Sequence, residues 1–121
     1  MKQTCLVPFF KNGNHMIGSR PVAVPEKESL IFNNQIFSDL TLEVKGTANS
    51  SAFPIVLSGC VDSEANQTFF NLAGVNLTNF KPILSIEEPG IYSFCVSGIA
   101  HLKVTLNATN SDLTVTGKLS E

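Results

Sequence analysis

The last third of the chain decides the fold class, and it consists of GIYSFCVSGI (residues 90–99), HLKVTLN (residues 101–107) and DLTVTGKL (residues 112–119). In the second stretch Leu102, Val104 and Leu106 alternate with polar residues, and the third stretch alternates in the same way. Alternation with a period of two places one row of side chains on a core and the other row in water. The three stretches therefore predict consecutive antiparallel β-strands.

The same alternation recurs upstream, from about residue 36. Leu40, Leu42 and Val44 alternate with polar residues, and a second alternating stretch covers residues 53–57. Strand patterns separated by turn-forming residues, with no helical periodicity between them, are typical of a β-sandwich. We therefore expect residues 36–121 to form an all-β, antiparallel β-sandwich of about seven or eight strands.

Turn residues are expected to have defined roles in this sandwich. Pro89 and Gly90 suit the two central positions of a type II turn. Tyr92 follows that turn, and we expect it to anchor the turn with a buried ring and a hydrogen-bonded hydroxyl. A glycine follows or ends several strand patterns, where a positive φ would let the chain turn away. These glycines are Gly46, Gly59, Gly98 and Gly117.

Residues 1–35 differ from the rest and are predicted to form an extended N-terminal arm, because three prolines interrupt them. The arm carries apolar side chains that would be costly to leave in water, at about 1.5–3 kcal/mol for each large one. Either the chain's own sandwich or a neighbouring subunit must cover them. The second alternative makes five residues candidate subunit contacts: Phe9, Phe10, Val22, Val24 and Phe32.

Composition argues against several classes of partner. Only 15% of the residues are charged, the formal net charge is −2, and Arg20 is the one arginine. Binding to nucleic acid needs several basic contacts to phosphate, so we expect no nucleic-acid partner. No apolar run reaches 18 residues, and the N-terminus lacks the apolar stretch of a secretory signal. We therefore expect no membrane association and a chain that is used without export.

The sequence offers no catalytic or cofactor-binding pattern. Its two histidines stand alone, and the adjacent Glu87 and Glu88 would point to opposite faces of a strand. Residues 62–66 resemble the start of a calcium loop but lack its glycine and its closing glutamate. Cys60 and Cys95 could form a disulfide, although reduced thiols are expected without export. We therefore predict a protein that is not an enzyme and has no metal and no cofactor.

A resemblance suggests where such a protein works. Residues 86–99 contain a Gly-x-Tyr turn and a strand ending in Val-x-Gly, and the last strand ends in Val-Thr-Gly at residues 115–117. Across residues 39–119 the chain resembles small β-sandwich proteins of tailed-phage and prophage structural gene clusters. The resemblance implies a non-enzymatic virion protein, made in the host cytoplasm. Its partners would be other virion proteins, such as major capsid or tail proteins, and further copies of itself.

Two roles within a virion fit this resemblance, and one role outside it competes. The virion roles are a capsid decoration protein and a small tail or baseplate protein. The competing role is a carbohydrate- or cell-surface-binding module, which would need an exposed aromatic cluster or a polar groove on one sheet. The chain has no tryptophan and one tyrosine, Tyr92, so an aromatic platform for sugar rings is weakly supported.

Overall fold

The computed structural model describes residues 4–11, 14–17, 20–22, 29–34, 36–47, 53–61, 68–106 and 112–121. Within these ranges the chain forms twelve β-strands and no helix. The strands are β1 (Thr4–Lys11), β2 (Asn14–Ile17), β3 (Arg20–Val22), β4 (Ser29–Asn33), β5 (Asp39–Lys45), β6 (Val56–Cys60), β7 (Phe70–Asn71), β8 (Gly74–Asn76), β9 (Lys81–Ile83), β10 (Gly90–Cys95), β11 (His101–Thr105) and β12 (Thr114–Ser120).

The strands form two antiparallel sheets, which confirms the predicted all-β sandwich. The large sheet has eight strands in the order β3-β2-β1-β12-β5-β10-β8-β9, and the small sheet has the order β4-β11-β6-β7. Eight of the described strands, β5 to β12, lie within residues 36–121, in agreement with the predicted seven or eight. The other four, β1 to β4, lie in the predicted arm. Strands β3, β7, β8 and β9 are short, with two or three residues each.

The core lies between the sheets and follows the predicted alternation. On β5, Leu40, Leu42 and Val44 are buried, while the residues between them are partly exposed. Leu102 and Val104 of β11 face them from the small sheet and belong to the same hydrophobic cluster. Pairing of β5 with both β10 and β12 places this strand near the middle of the large sheet.

The described parts of the predicted arm are not separate from the sandwich. Strand β1 pairs with β12 in the large sheet, and β4 pairs with β11 in the small sheet. Phe9 and Phe10 are buried in the common core, so of the two alternatives for covering them the chain's own sandwich does so. The reason is a β-bulge. Pro8 lies opposite Thr116 and Phe10 opposite Val115, so Phe9 is an extra residue and two consecutive side chains reach the core.

Tyr92 anchors the start of β10, as predicted. Its ring is buried, and its hydroxyl donates a hydrogen bond of 2.6 Å to the backbone carbonyl of Glu88. A tyrosine that bonds back to the backbone a few residues upstream is a recurring device of β-sandwiches. The type II turn is wrong, however, because Gly90 begins β10 and does not have a positive φ. Gly90 instead leaves room for the Tyr92 ring, whose hydroxyl oxygen would lie 3.3 Å from an added Cβ.

We expect the stability of the protein to fall at alkaline pH because of this tyrosine. Burial raises the pKa of Tyr92, and the negative charge of Glu88 acts in the same direction. The unfolded chain releases the tyrosine proton near pH 10, whereas the folded chain retains it to higher pH. The unfolded state is therefore favoured progressively as the pH rises from about 10 through the folded pKa. Tyr92→Phe removes this component, which urea unfolding of both proteins across that pH range measures.

The predicted glycines divide into two groups. Gly46 and Gly98 have φ values of 135° and 82°, as expected for residues at which the chain turns away from a strand. Gly59 and Gly117 lie inside β6 and β12, and neither has a positive φ, so that prediction is wrong for them. Their role is close packing. A Cβ on Gly117 would lie 2.5 Å from Cε2 of Phe9.

Candidate docking surface

Chemistry-bearing side chains do not converge in the part of the chain that the structure describes. No group of three or more His, Cys, Asp or Glu residues there could hold a metal ion. Cys60 and Cys95 are not joined by a disulfide, and they belong to different sheets. None of the described residues forms a helix that could cross a lipid bilayer.

The predicted contact residues are distributed between the core and the sheet edges. Phe9 and Phe10 are in the core, as described above. Val22 belongs to β3, which ends the large sheet, and Phe32 belongs to β4, which ends the small sheet. Val24 lies outside the described residues. Of the predicted contact residues that the structure describes, Val22 and Phe32 therefore lie on edge strands, where another chain could pair with them.

A different surface carries the two most exposed large apolar side chains of the described residues. We define the apolar hairpin as residues 74–84, which comprise β8, β9 and their connection, with Leu84 following β9. Phe80 is 79% exposed and Leu84 is 74% exposed, and Val75 and Leu77 are also exposed. Four of the nine exposed large apolar side chains among the described residues therefore lie in this one hairpin. A surface that gathers exposed apolar groups is a candidate interaction site.

The turn of the apolar hairpin is held by two asparagine side chains. The Asn76 Oδ1 atom accepts hydrogen bonds from the Thr78 amide at 2.9 Å and from the Thr78 hydroxyl at 2.7 Å. The Asn79 Oδ1 atom accepts one from the Lys81 amide at 3.0 Å. Asparagine supports turns through such bonds to the backbone two residues further on. The turn is therefore fixed before any partner arrives.

Phe80 is held in an unusual backbone conformation at the tip of this turn. Its φ is 58°, in the left-handed region that bulky residues rarely adopt, and its amide donates a bond of 2.7 Å to the Asn76 carbonyl. Such strain costs about 1–3 kcal/mol and is concentrated at functional sites. No gain in core packing offsets it, because the Phe80 side chain is in water. The hairpin presents Phe80 outward at a cost to stability.

A shallow groove of about 280 Å³ crosses the outer face of the large sheet beside the hairpin. It runs from Leu6 on β1 to Ile91 on β10, and the Ile91 carbonyl accepts a bond of 2.9 Å from the Leu77 amide. The polar residues that line the groove are direct cross-strand partners on neighbouring strands. Glu43 lies opposite both Thr116 and Ile91, and Lys118 lies opposite Thr41 and Leu6. The groove has charged and hydroxyl groups but no aromatic side chain in its lining.

Sequence reasoning missed the apolar hairpin. The sequence predicts a weak strand over residues 81–86, which overlaps β9, preceded by an asparagine-rich connection that contains β8 and Phe80. The available signal was Asn76 and Asn79 around the apolar residues Leu77 and Phe80, which suits an asparagine-supported turn. That pattern alone does not say whether the apolar side chains face the core or water.

Two solved structures share the fold of this chain. No protein-family model matches the chain, and no curated protein matches it. Among solved structures, the SPBc2 prophage-derived protein YomS superimposes with a TM-score of 0.73 at 20% identity, over 100% of this chain and 96% of YomS. This fold is shared with a prophage protein. The PBSX exported protein XepA superimposes with a TM-score of 0.71 at 16% identity, over 99% of this chain and 38% of XepA.

Proposed function

We propose that the chain is a non-enzymatic structural protein of a phage particle, and that it attaches to another virion protein through the apolar hairpin. The observation that carries the proposal is the tip of that hairpin, where a strained Phe80 is 79% exposed in a turn fixed by two asparagines. The fold shared with YomS over nearly the whole length of both chains supports a phage origin.

The energetics of the hairpin suit attachment to an apolar pocket of a protein partner. Burying a large apolar side chain contributes about 1.5–3 kcal/mol, so Phe80 and Leu84 together could supply much of a moderate affinity. Because the turn is already fixed, little conformational entropy is lost when it docks. A few central aromatic and apolar anchors usually dominate an interface. Phe80 and Leu84 are the anchors that we assign here.

Within the particle, we favour a capsid decoration or accessory role, with a major capsid protein as the partner and the host cytoplasm as the place of synthesis. A compact sandwich with one projecting apolar turn can attach to a finished lattice without chemistry. A tail or baseplate position is the alternative within the particle. Identifying which virion protein the hairpin crosslinks to would separate the two.

Phe80→Ser is expected to weaken binding to particles by at least about tenfold while the fold stays unchanged. The side chain contributes to no core contact, so its loss should remove only the anchor. The measurement is co-sedimentation of the purified protein with particles that were assembled without it. Phe70→Ser is the matched control, because Phe70 is 69% exposed but lies on β7 of the small sheet. Equal binding by wild-type and Phe80→Ser proteins would contradict the proposal.

The groove supports the carbohydrate- or cell-surface-binding module as a second candidate function. Its lining of threonine hydroxyls, Glu43 and Lys118 could donate and accept hydrogen bonds to sugar hydroxyls. Titration with host cell-wall polysaccharide separates the two functions. Saturable binding that is lost in Glu43→Gln but kept in Phe80→Ser would favour the glycan module, whereas no binding would exclude it.

A further inference from the structure

The four edges of the two sheets differ in how they are protected against pairing with another chain. Natural sheets protect their edges with charged residues, with proline or by making the edge strand very short. In the large sheet, β3 contains Arg20 and Pro21, and β9 contains Lys81 and Pro82. In the small sheet, β7 has only two residues. Among the residues that the structure describes, β4 is the remaining edge, and its five residues, SLIFN, include neither charge nor proline.

The hydrogen-bond pattern shows which backbone groups of β4 point away from β11. Its register with β11 places Leu30 opposite Val104 and Phe32 opposite Leu102, and the amide of the following Asn34 bonds to the Ala100 carbonyl at 2.9 Å. Bonded pairs alternate along an antiparallel ladder, so positions 30, 32 and 34 bond towards β11. Positions 29, 31 and 33 therefore direct their amides and carbonyls away from the small sheet.

We propose that β4 pairs with β4 of a second copy of this chain, antiparallel and about a two-fold axis at Ile31. The strand is suited to pairing with itself, because it is polar at both ends and apolar at its three central positions. In this register Ser29 of each copy lies opposite Asn33 of the other, and Ile31 lies opposite Ile31. Three bonded pairs with two bonds each give six backbone hydrogen bonds. Two four-stranded sheets then join into one sheet of eight strands.

Sedimentation velocity of the full chain over a concentration series measures this pairing. We expect the wild-type mass to double from 13.0 kDa as the concentration rises. Ile31→Pro should remain at 13.0 kDa, because proline has no backbone amide and so removes both hydrogen bonds of the central Ile31–Ile31 pair. The monomer should still fold, because proline is tolerated on an edge strand. Phe80→Ser should still double in mass, which separates this interface from the proposed docking surface. A wild-type protein that stays monomeric, or an Ile31→Pro protein that still dimerises, would overturn the proposal.

Hydrogen exchange of the wild-type protein provides a second measurement that needs no variant. The amides of Ile31 and Asn33 should exchange slowly only at concentrations where the dimer forms. The amide of Phe32, which bonds to β11, should be protected at all concentrations. Protection of Ile31 and Asn33 that does not change with concentration would overturn pairing with a second copy.

Discussion

Replacing Phe10 by alanine is expected to lower the free energy of unfolding by about 3–5 kcal/mol. Phe10 lies on β1 and is 0% exposed, and the bulge brings it into the core beside Phe9. Urea denaturation at equilibrium measures the loss. Leu6→Ala is the matched control on the same strand, and because Leu6 is 70% exposed it should change the stability by no more than about 0.5 kcal/mol.

The Phe10 result distinguishes a strand of the sandwich from a detachable arm. A domain of this size is stable by about 5–15 kcal/mol, so deleting residues 1–25 should unfold it, since β1 and both buried phenylalanines are lost. The deletion would also leave one side of β12 without its ladder partner. A deletion variant that kept the wild-type urea midpoint would show that β1 does not belong to the core.

Gly117→Ala is expected to cost about 1–3 kcal/mol of stability through overpacking. An added Cβ would lie 2.5 Å from Cε2 of Phe9 and 3.0 Å from Cδ1 of Leu40, and neither side chain has free space, because both are buried. No backbone strain contributes, since the φ of Gly117 is not positive. The substitution therefore isolates the contact between β12 and the bulge of β1.

A double-mutant cycle with Phe9→Leu checks this cause. A smaller side chain at Phe9 makes room for the new methyl group, so Gly117→Ala should cost less in the Phe9→Leu background than in the wild type. We expect a coupling free energy of about 0.5–3 kcal/mol. If the stability losses of the two single mutants add up to that of the double mutant within about 0.5 kcal/mol, the added methyl group does not contact the phenylalanine ring.

Regular strands were predictable from the sequence because their alternation reports directly on which face is buried. Strands β5, β11 and β12 follow the pattern, and the anchoring role of Tyr92 followed from its position after a turn. The pattern fails at the bulge of β1. Two consecutive phenylalanines cannot both face the core of a regular strand, and only the tertiary pairing with β12 shows the extra residue.

The candidate docking surface could not be predicted, for a related reason. Strands of three residues carry no periodic signal, and an exposed Phe80 looks the same in sequence as the buried Phe94. The glycines show the same limit. Gly98 and Gly117 both follow a valine-containing strand pattern, but one has a positive φ and the other makes room for a ring. Only the neighbouring strands distinguish the two.

The two proposed interfaces belong to different sheets. The apolar hairpin is part of the large sheet, and β4 is an edge strand of the small sheet among the described residues. A subunit could therefore attach to a particle through Phe80 and pair with a second copy at the same time. Variants at Phe80 and at Ile31 should accordingly affect particle binding and self-association independently.

Quantitative mass spectrometry of purified phage particles tests the central claim most directly. The particles should be assembled in cells that express the phage structural genes neighbouring this one, together with either the wild-type chain or the Phe80→Ser variant. The account predicts that the wild-type chain remains with the particles through a density gradient, at a fixed ratio to the major capsid protein or a tail protein, and that Phe80→Ser is depleted. Particles without the chain, while the folded chain accumulates free of them, would contradict it.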